Sequence, residues 1–289
     1  MFEDAVTCWR PVLSHWRSTS VPCGVTLTKK ADSMVQPTLV ISALFGCVSA
    51  GIYAYVGWRL RQRVIASADG RLAWTLLRVW WFGLAGTTLS TALLSLLGAV
   101  GVTSLPVFIG LTYLNLLLIC VALWGLLYYL VYLFTGSRRW LWPLSLFYIA
   151  YAAMLLYYIT ASGPIRVQAG RWSTTIVYQA TPTGPVVIFI LALLVFPQII
   201  GALAYFTLYF RVKEARQKYR ILLVSWSIIL WFGSAFAASA AGLAQYDWWQ
   251  IVSRVIGLGA AFAILIAYLP PAWLKQRLGL IAISDQASA

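Results

Sequence analysis

Residues 106–134 read PVFIGLTYLNLLLICVALWGLLYYLVYLF, with no charged residue, a proline at the very start and a single amide, Asn115. About 20 residues at 1.5 Å rise match a ~30 Å hydrocarbon core, so this stretch is long enough to cross a bilayer as one helix. Its extra length implies tilt or emergence into the headgroups. Outward along the chain the pattern recurs. Apolar blocks run over Pro37–Trp58, Ala73–Val100, Leu141–Ala161, Pro185–Phe210, Tyr219–Ala244 and Ile251–Leu269. The predicted fold class is therefore all-α, a polytopic membrane bundle of seven transmembrane helices.

Composition carries the same message. Hydrophobic residues make up 62% of the 289, charged residues only 10%, and mean hydropathy is +0.83. A soluble domain carries about a quarter charged residues, so these few cannot cover a water-facing surface and most of the surface must face lipid. A membrane barrel needs ~10-residue alternating segments, and none occurs.

The formal charge of +14 is distributed by topology. Arg59, Arg61, Arg63 and Arg71 follow the first block, and Arg138 and Arg139 the third. Arg211, Lys213, Arg216, Lys218 and Arg220 follow the fifth; Lys275 and Arg277 follow the seventh. The connection Gly101–Leu105 is uncharged and Gln245–Gln250 carries only Asp247. Short loops rich in Lys and Arg stay cytoplasmic, which places the N-terminus outside and the C-terminus in the cytoplasm. The expected location is the cell inner (cytoplasmic) membrane. The basic excess then suits anionic lipid at the inner leaflet, and no long polar surface exists for a nucleic-acid partner. Arg166 and Arg171, in the longer Ser162–Gly184 connection, are mild exceptions.

Three regions follow: a polar tail over 1–35, a transmembrane domain over 36–274 and a short cytoplasmic tail over 275–289. Two readings of the tail fit. Met34 stands just before the first block, so translation starting there would make the upstream stretch an artefact; alternatively the tail is extracellular, with Cys8 and Cys23 free to form a disulfide. The Ser162–Gly184 loop carries Gly163-Pro164, Gly170 and Pro182-Thr183-Gly184-Pro185, which are turn signals. Its β-branched centre, Trp172–Tyr178, is expected to form a small hairpin or lid on the outer face. Trp58, Trp140, Trp142 and Trp273 suit an inner interfacial belt, and Tyr246, Trp248 and Trp249 an outer one. Trp80, Trp81, Trp124, Trp226 and Trp231 lie deeper and are expected to pack between helices. Gly46, Ala50 and Ala54, like Ser234, Ala238 and Gly242, follow the small-xxx-small spacing that permits close helix approach.

Several chemistries are disfavoured by the residues themselves. Lys29, Lys30, Lys213, Lys218 and Lys275 lie outside the helix centres, so no lysine is placed to hold retinal. His15 is the single histidine, which rules out bis-histidine haem and zinc sets. No acidic residue falls in mid-helix, although proton-driven pumps and intramembrane proteases use such groups. No catalytic residue, metal site or cofactor is expected, and the chain does not read as an enzyme.

What remains inside the membrane is neutral, apart from basic groups near the helix ends. Asn115 suits an interhelical hydrogen bond or a ligand contact. Pro197 is expected to kink the fifth helix, leaving Gln198 to satisfy freed backbone or face a cavity. Arg254 lies near the outer end of the last helix, on the face of Asp247; it either snorkels to the headgroups or anchors a ligand. Asn115 and Gln198 fall ~14 Å and ~20 Å below the outer boundary at 1.5 Å per residue. The expectation is a cavity open to the outer side, walled by aromatics, with Asn115 or Gln198 on its wall and Arg254 near its mouth. It would suit a small, mostly apolar or weakly anionic molecule.

The basic run Arg216-Gln217-Lys218-Tyr219-Arg220 leads straight into the sixth block. The chain then leaves the seventh through Ala267-Tyr268-Leu269-Pro270-Pro271-Ala272-Trp273-Leu274-Lys275. This last third resembles the seven-helix membrane modules that precede bacterial histidine kinases. The resemblance implies a sensor or receptor-like module. With no kinase or other output domain following, it would be a stand-alone sensor or accessory subunit acting through a signalling or membrane-complex protein partner.

The alternative is a small-solute transporter. Trp81-Phe82-Gly83 and Ile109-Gly110-Leu111 are echoed by Trp231-Phe232-Gly233 and Ile256-Gly257-Leu258, which suits a 3+1+3 repeat. Pro197-Gln198 resembles the motif of the PQ-loop and sugar-porter-like families, though the matching position in the first helix reads Gln36-Pro37. A third class is a structural subunit of a larger membrane complex.

Overall fold

The computed structural model describes residues 36–61, 68–102, 104–161, 166–177, 196–240 and 246–277. The chain divides into two units, Met1–Asp32 and Ser33–Ala289. The first unit, with Cys8, Cys23 and the alternative readings of the tail, lies outside the described residues. In the second, α1 (Pro37–Arg61), α2 (Ala68–Ala99), α3 (Leu105–Thr135) and α4 (Leu141–Ala161) are followed by a hairpin, β1 (Arg166–Ala169) and β2 (Thr174–Val177). Then come α5 (Phe196–Arg211), α6 (Ala215–Ala240), α7 (Asp247–Tyr268) and the short α8 (Ala272–Arg277). Apart from the hairpin, the described architecture is all helix. Among the described residues, five helical stretches are long and apolar enough to cross a membrane: Pro37–Leu60, Arg71–Ala99, Leu105–Thr135, Arg138–Tyr157 and Trp248–Tyr268.

Helix ends follow local chemistry. Pro106 occupies the first turn of α3, where its missing N–H is not needed. At the other end Gly136 adopts φ 64°, and its N–H donates to the Tyr132 carbonyl at 2.8 Å. Glycine takes this left-handed cap without a steric penalty. After α7 the Pro270-Pro271 pair ends the helical ladder before α8 begins.

The helices pack in sequence around a ring. α2 lies between α1 and α3, α7 packs on α1 and α6, and α5 joins α6 to α3, while α4 rests on α3. Neighbours approach closely where side chains are absent. A Cβ on Gly83 of α2 would sit 2.7 Å from the Ala122 Cβ of α3, and one on Gly46 of α1 would sit 2.8 Å from the Ala92 Cβ of α2. Gly125 lies against the α2 backbone at Leu76 and Trp80. Such close approach raises dispersion contact between helices, which is what holds helices together in lipid.

Inside and outside are arranged as a bilayer requires. Leu146 (63% exposed), Ile149 (66%) and Phe210 (73%) stand on the surface, whereas Ser49, Thr87, Ser90, Ser95, Ser225 and Ser227 are buried. The core is centred on Trp80 and Trp81 with Tyr53, Val56, Leu126 and Ile264. Trp58, Trp140, Trp142, Trp273, Tyr246 and Trp248 are exposed near helix ends, the distribution of an interfacial belt. Trp226 departs from expectation. It is 52% exposed rather than packed between helices, because the inward face of α6 is supplied by Val224, Ser225, Ile228 and Phe232.

The hairpin begins earlier than expected: its strands flank residues 170–173 and pair Arg166 with Val177 through Ala169 with Thr174. Ser173 and Thr174 are buried, and the Thr174 side chain fills the space left by Gly98 at the end of α2. The Thr38 hydroxyl of α1 donates to the Arg171 carbonyl. The hairpin is thus seated on the ends of α1 and α2.

Candidate functional site

A cavity of about 320 Å³ lies within the ring, between α1, α2, α3, α6 and α7. Phe45, Gly46 and Ser49 face it from one side of α1; Thr87, Thr88 and Thr91 do so from α2. From α7 come Gln250, Ser253, Arg254 and Gly257, at the spacing of one helical face. Asn115 and Ile119 of α3 and Trp231 and Ser234 of α6 complete most of the wall. Trp249 and Gly257 stand two and ten residues inside the start of α7, so the cavity runs from ~3 Å to ~15 Å below that helix end.

Arg254 is turned inward. One guanidinium nitrogen donates to the Thr91 hydroxyl at 2.8 Å, and the other terminal nitrogen lies 3.4 Å from the Thr91 carbonyl. Snorkelling toward headgroups is replaced by this inward bond because Gly46 leaves room. A Cβ there would lie 3.3 Å from the guanidinium. The side chain is partly buried, and no carboxylate pairs with it among the described residues. The side chain of Asp247, its expected neighbour, lies outside the described set.

Asn115 serves as an interhelical link and as part of the wall. Its carbonyl oxygen accepts from the Ser90 hydroxyl at 3.0 Å, joining α3 to α2. The indole N–H of Trp249 and the hydroxyl of Thr87, both on the wall, are buried without a partner among the described residues. Trp249 reads in the sequence only as part of an outer interfacial belt, and Thr87 with the wider run of serine and threonine on α2 does not stand out there. The available signal was Thr87, Thr88, Ser90, Thr91 and Ser95, a cluster of small polar residues within one apolar block.

Gln198 stands elsewhere. It is fully buried beside Tyr148 of α4 and is not part of the cavity lining with Asn115 and Arg254. Neither its amide nor the Tyr148 hydroxyl has a partner of hydrogen-bonding geometry among the described residues. Pro197 lies at the beginning of the described part of α5, so the turn that a kink would distort lies outside the described residues.

Below the cavity lies a layer of aromatic rings. Trp80 and Trp81 stack at 4.0 Å between centroids, Tyr53 stacks on Trp81 at 5.9 Å, and Tyr268 meets Trp81 edge-on at 6.1 Å. Trp231 borders both the cavity and this layer. Beyond the layer, toward the other bundle end, lies a second cavity of about 440 Å³. Trp74, Tyr129, Tyr205, Gln217, Arg220 and Tyr268 are among its lining residues. No group of three or more metal-ligating His, Cys, Asp or Glu side chains occurs among the described residues. The first cavity can therefore offer one cation, hydroxyl and amide groups and an aromatic floor. No protein-family model matches the sequence, and no curated protein is detectably similar to it.

Proposed function

We propose that the chain is a seven-span protein of the cell inner membrane, a stand-alone sensor- or receptor-like module that binds a small molecule from the outer side and acts through a partner protein. The observation that carries this reading is the polar cavity near one bundle end, floored by the Trp80–Trp81 layer. A site closed below suits binding and release on one side. The basic groups Arg59, Arg71, Arg138 and Arg211 stand at the opposite ends of their helices, which by the loop-charge rule is the cytoplasmic side. With the cavity end outside, the N-terminus is extracellular and the C-terminus cytoplasmic. The two further spans in this count are α6, 26 residues long, and the fifth apolar block, Pro185–Phe210, whose described part is α5. No catalytic step, cofactor or nucleic-acid partner enters the reading.

A transporter reading has its own support. A second cavity lies beyond the aromatic layer, and α1–α3 and α5–α7 each pack as a sequential triplet, with α4 resting mainly on α3 among the described residues. That arrangement suits a 3+1+3 design with the aromatic layer as a gate.

Topology is tested first. Single cysteines replace Arg138 or Arg171 in a chain whose own cysteines are changed to alanine, and a membrane-impermeant thiol reagent is applied from each side. The two positions are expected to label from opposite sides; labelling from the same side rejects the arrangement. Ser49→Cys, on the cavity wall, is expected to react from the outer side with a small neutral methanethiosulfonate. If it reacts only from the inner side, or not at all, the outward-facing site is lost. A receptor further requires that occupancy alter labelling of Lys213→Cys at the basic end without net solute flux in proteoliposomes; flux selects the transporter.

A further inference from the structure

Among the described residues, the wall of the first cavity carries one cation, Arg254, and no acidic side chain. The residue lies seven positions inside the start of α7, ~10 Å along the helix axis. A cation at membrane depth is costly and finds a partner or a water-filled cavity. Here the protein supplies neutral acceptors from Thr91, which leaves its charge uncompensated by any described residue. Gly46 leaves the space in which the guanidinium sits, so the position is built into the α1–α7 contact.

We propose that this cavity binds a small monocarboxylate, with the carboxylate on the Arg254 guanidinium and the body against Phe45, Ile119 and Trp231. The inference rests on the reading of the cavity as an outward-facing ligand site. Charge matching selects a monoanion. One guanidinium balances one negative charge, whereas a dianion such as phosphate would leave surplus charge in a poorly solvated site. The planar fork of arginine matches a carboxylate in two parallel hydrogen bonds. The Trp249 indole, a donor only, has no partner among the described residues, so it adds a place for an acceptor atom on the ligand. With no acid among the described wall residues, an amine finds no counter-charge on them. A volume of about 320 Å³ lies at the small end of ligand pockets, and its aromatic floor favours a ligand with an apolar body.

The full chain in nanodiscs is titrated with acetate, butyrate and benzoate, with benzamide and inorganic phosphate as comparisons, by calorimetry and thermal unfolding. At least one carboxylate is expected to saturate at one per chain and to raise the melting temperature. Benzamide and phosphate are expected to bind at least about tenfold more weakly than that carboxylate. Arg254→Gln is expected to lose at least about tenfold in carboxylate affinity, with Arg254→Lys affected less. The proposal is overturned if none of the three carboxylates saturates, if phosphate or benzamide binds as tightly as the best carboxylate, or if folded Arg254→Gln binds like the parent. The benzoate–benzamide comparison needs no variant, so it decides even where Arg254→Gln does not fold. Outer-side reactivity of Ser49→Cys separates the two levels. With that reactivity present and carboxylate binding absent, only the ligand class fails; with it absent, the site reading fails as well.

Discussion

At Asn115 a single amide does two jobs that the sequence could only set side by side. Its oxygen ties α3 to α2 through Ser90, and its residue lines the cavity. Interhelical hydrogen bonds in membrane proteins contribute about 0.6 kcal/mol on average and up to about 1.7. A double-mutant cycle of Ser90→Ala and Asn115→Ala, read by reversible unfolding in detergent, is expected to give a coupling energy in that range. A coupling of zero would show that the bond contributes nothing to stability. Arg254 teaches the complementary lesson. Its place near a helix end was legible from spacing, but its inward direction depended on Gly46 of α1 and Thr91 of α2, both remote in sequence.

Glycine shows how the same substitution takes opposite signs on different helix faces. Gly51 of α1 is exposed, with nothing near its missing Cβ, whereas a Cβ at Gly83 of α2 would meet the Ala122 backbone and side chain of α3. Alanine in a helix is favoured over glycine by roughly 0.5–1 kcal/mol, so Gly51→Ala is expected to be neutral or mildly stabilising. Gly83→Ala must push α2 from α3 and is expected to cost about 1–3 kcal/mol. Thermal unfolding of the two variants checks both signs; equal behaviour would remove the close α2–α3 contact from the account. Element positions themselves were well marked in sequence. The first four blocks and the last correspond to α1–α4 and α7 within a few residues, because an uninterrupted apolar run bounded by charge or proline leaves little choice.

At the scale of the whole molecule, the aromatic layer lies between the two cavities. Trp81 is nearly fully buried and touches Trp80, Tyr53 and Tyr268. Trp81→Ala removes the centre of that layer, and loss of a buried aromatic costs about 3–5 kcal/mol. In a chain that still folds, it is expected to let a small thiol reagent applied at the cavity end reach Leu77→Cys in the second cavity. An unchanged labelling rate would show that the layer does not separate the two spaces.

The sequence alone determined that the chain is helical and apolar enough for a bilayer, because hydrocarbon forces backbone hydrogen bonds inside each segment and charge scarcity forbids a wet surface. It also marked Asn115 and Arg254 as exceptional, since polar groups in apolar runs stand out one at a time. Their convergence on one cavity, with Gln198 buried beside Tyr148 outside that lining, was decided by the tertiary structure. So was the turning of Trp226 outward and Trp80 and Trp81 inward. In an apolar helix both faces read alike, because lipid and protein interior reward the same side chains; only the neighbouring helices select which face is buried.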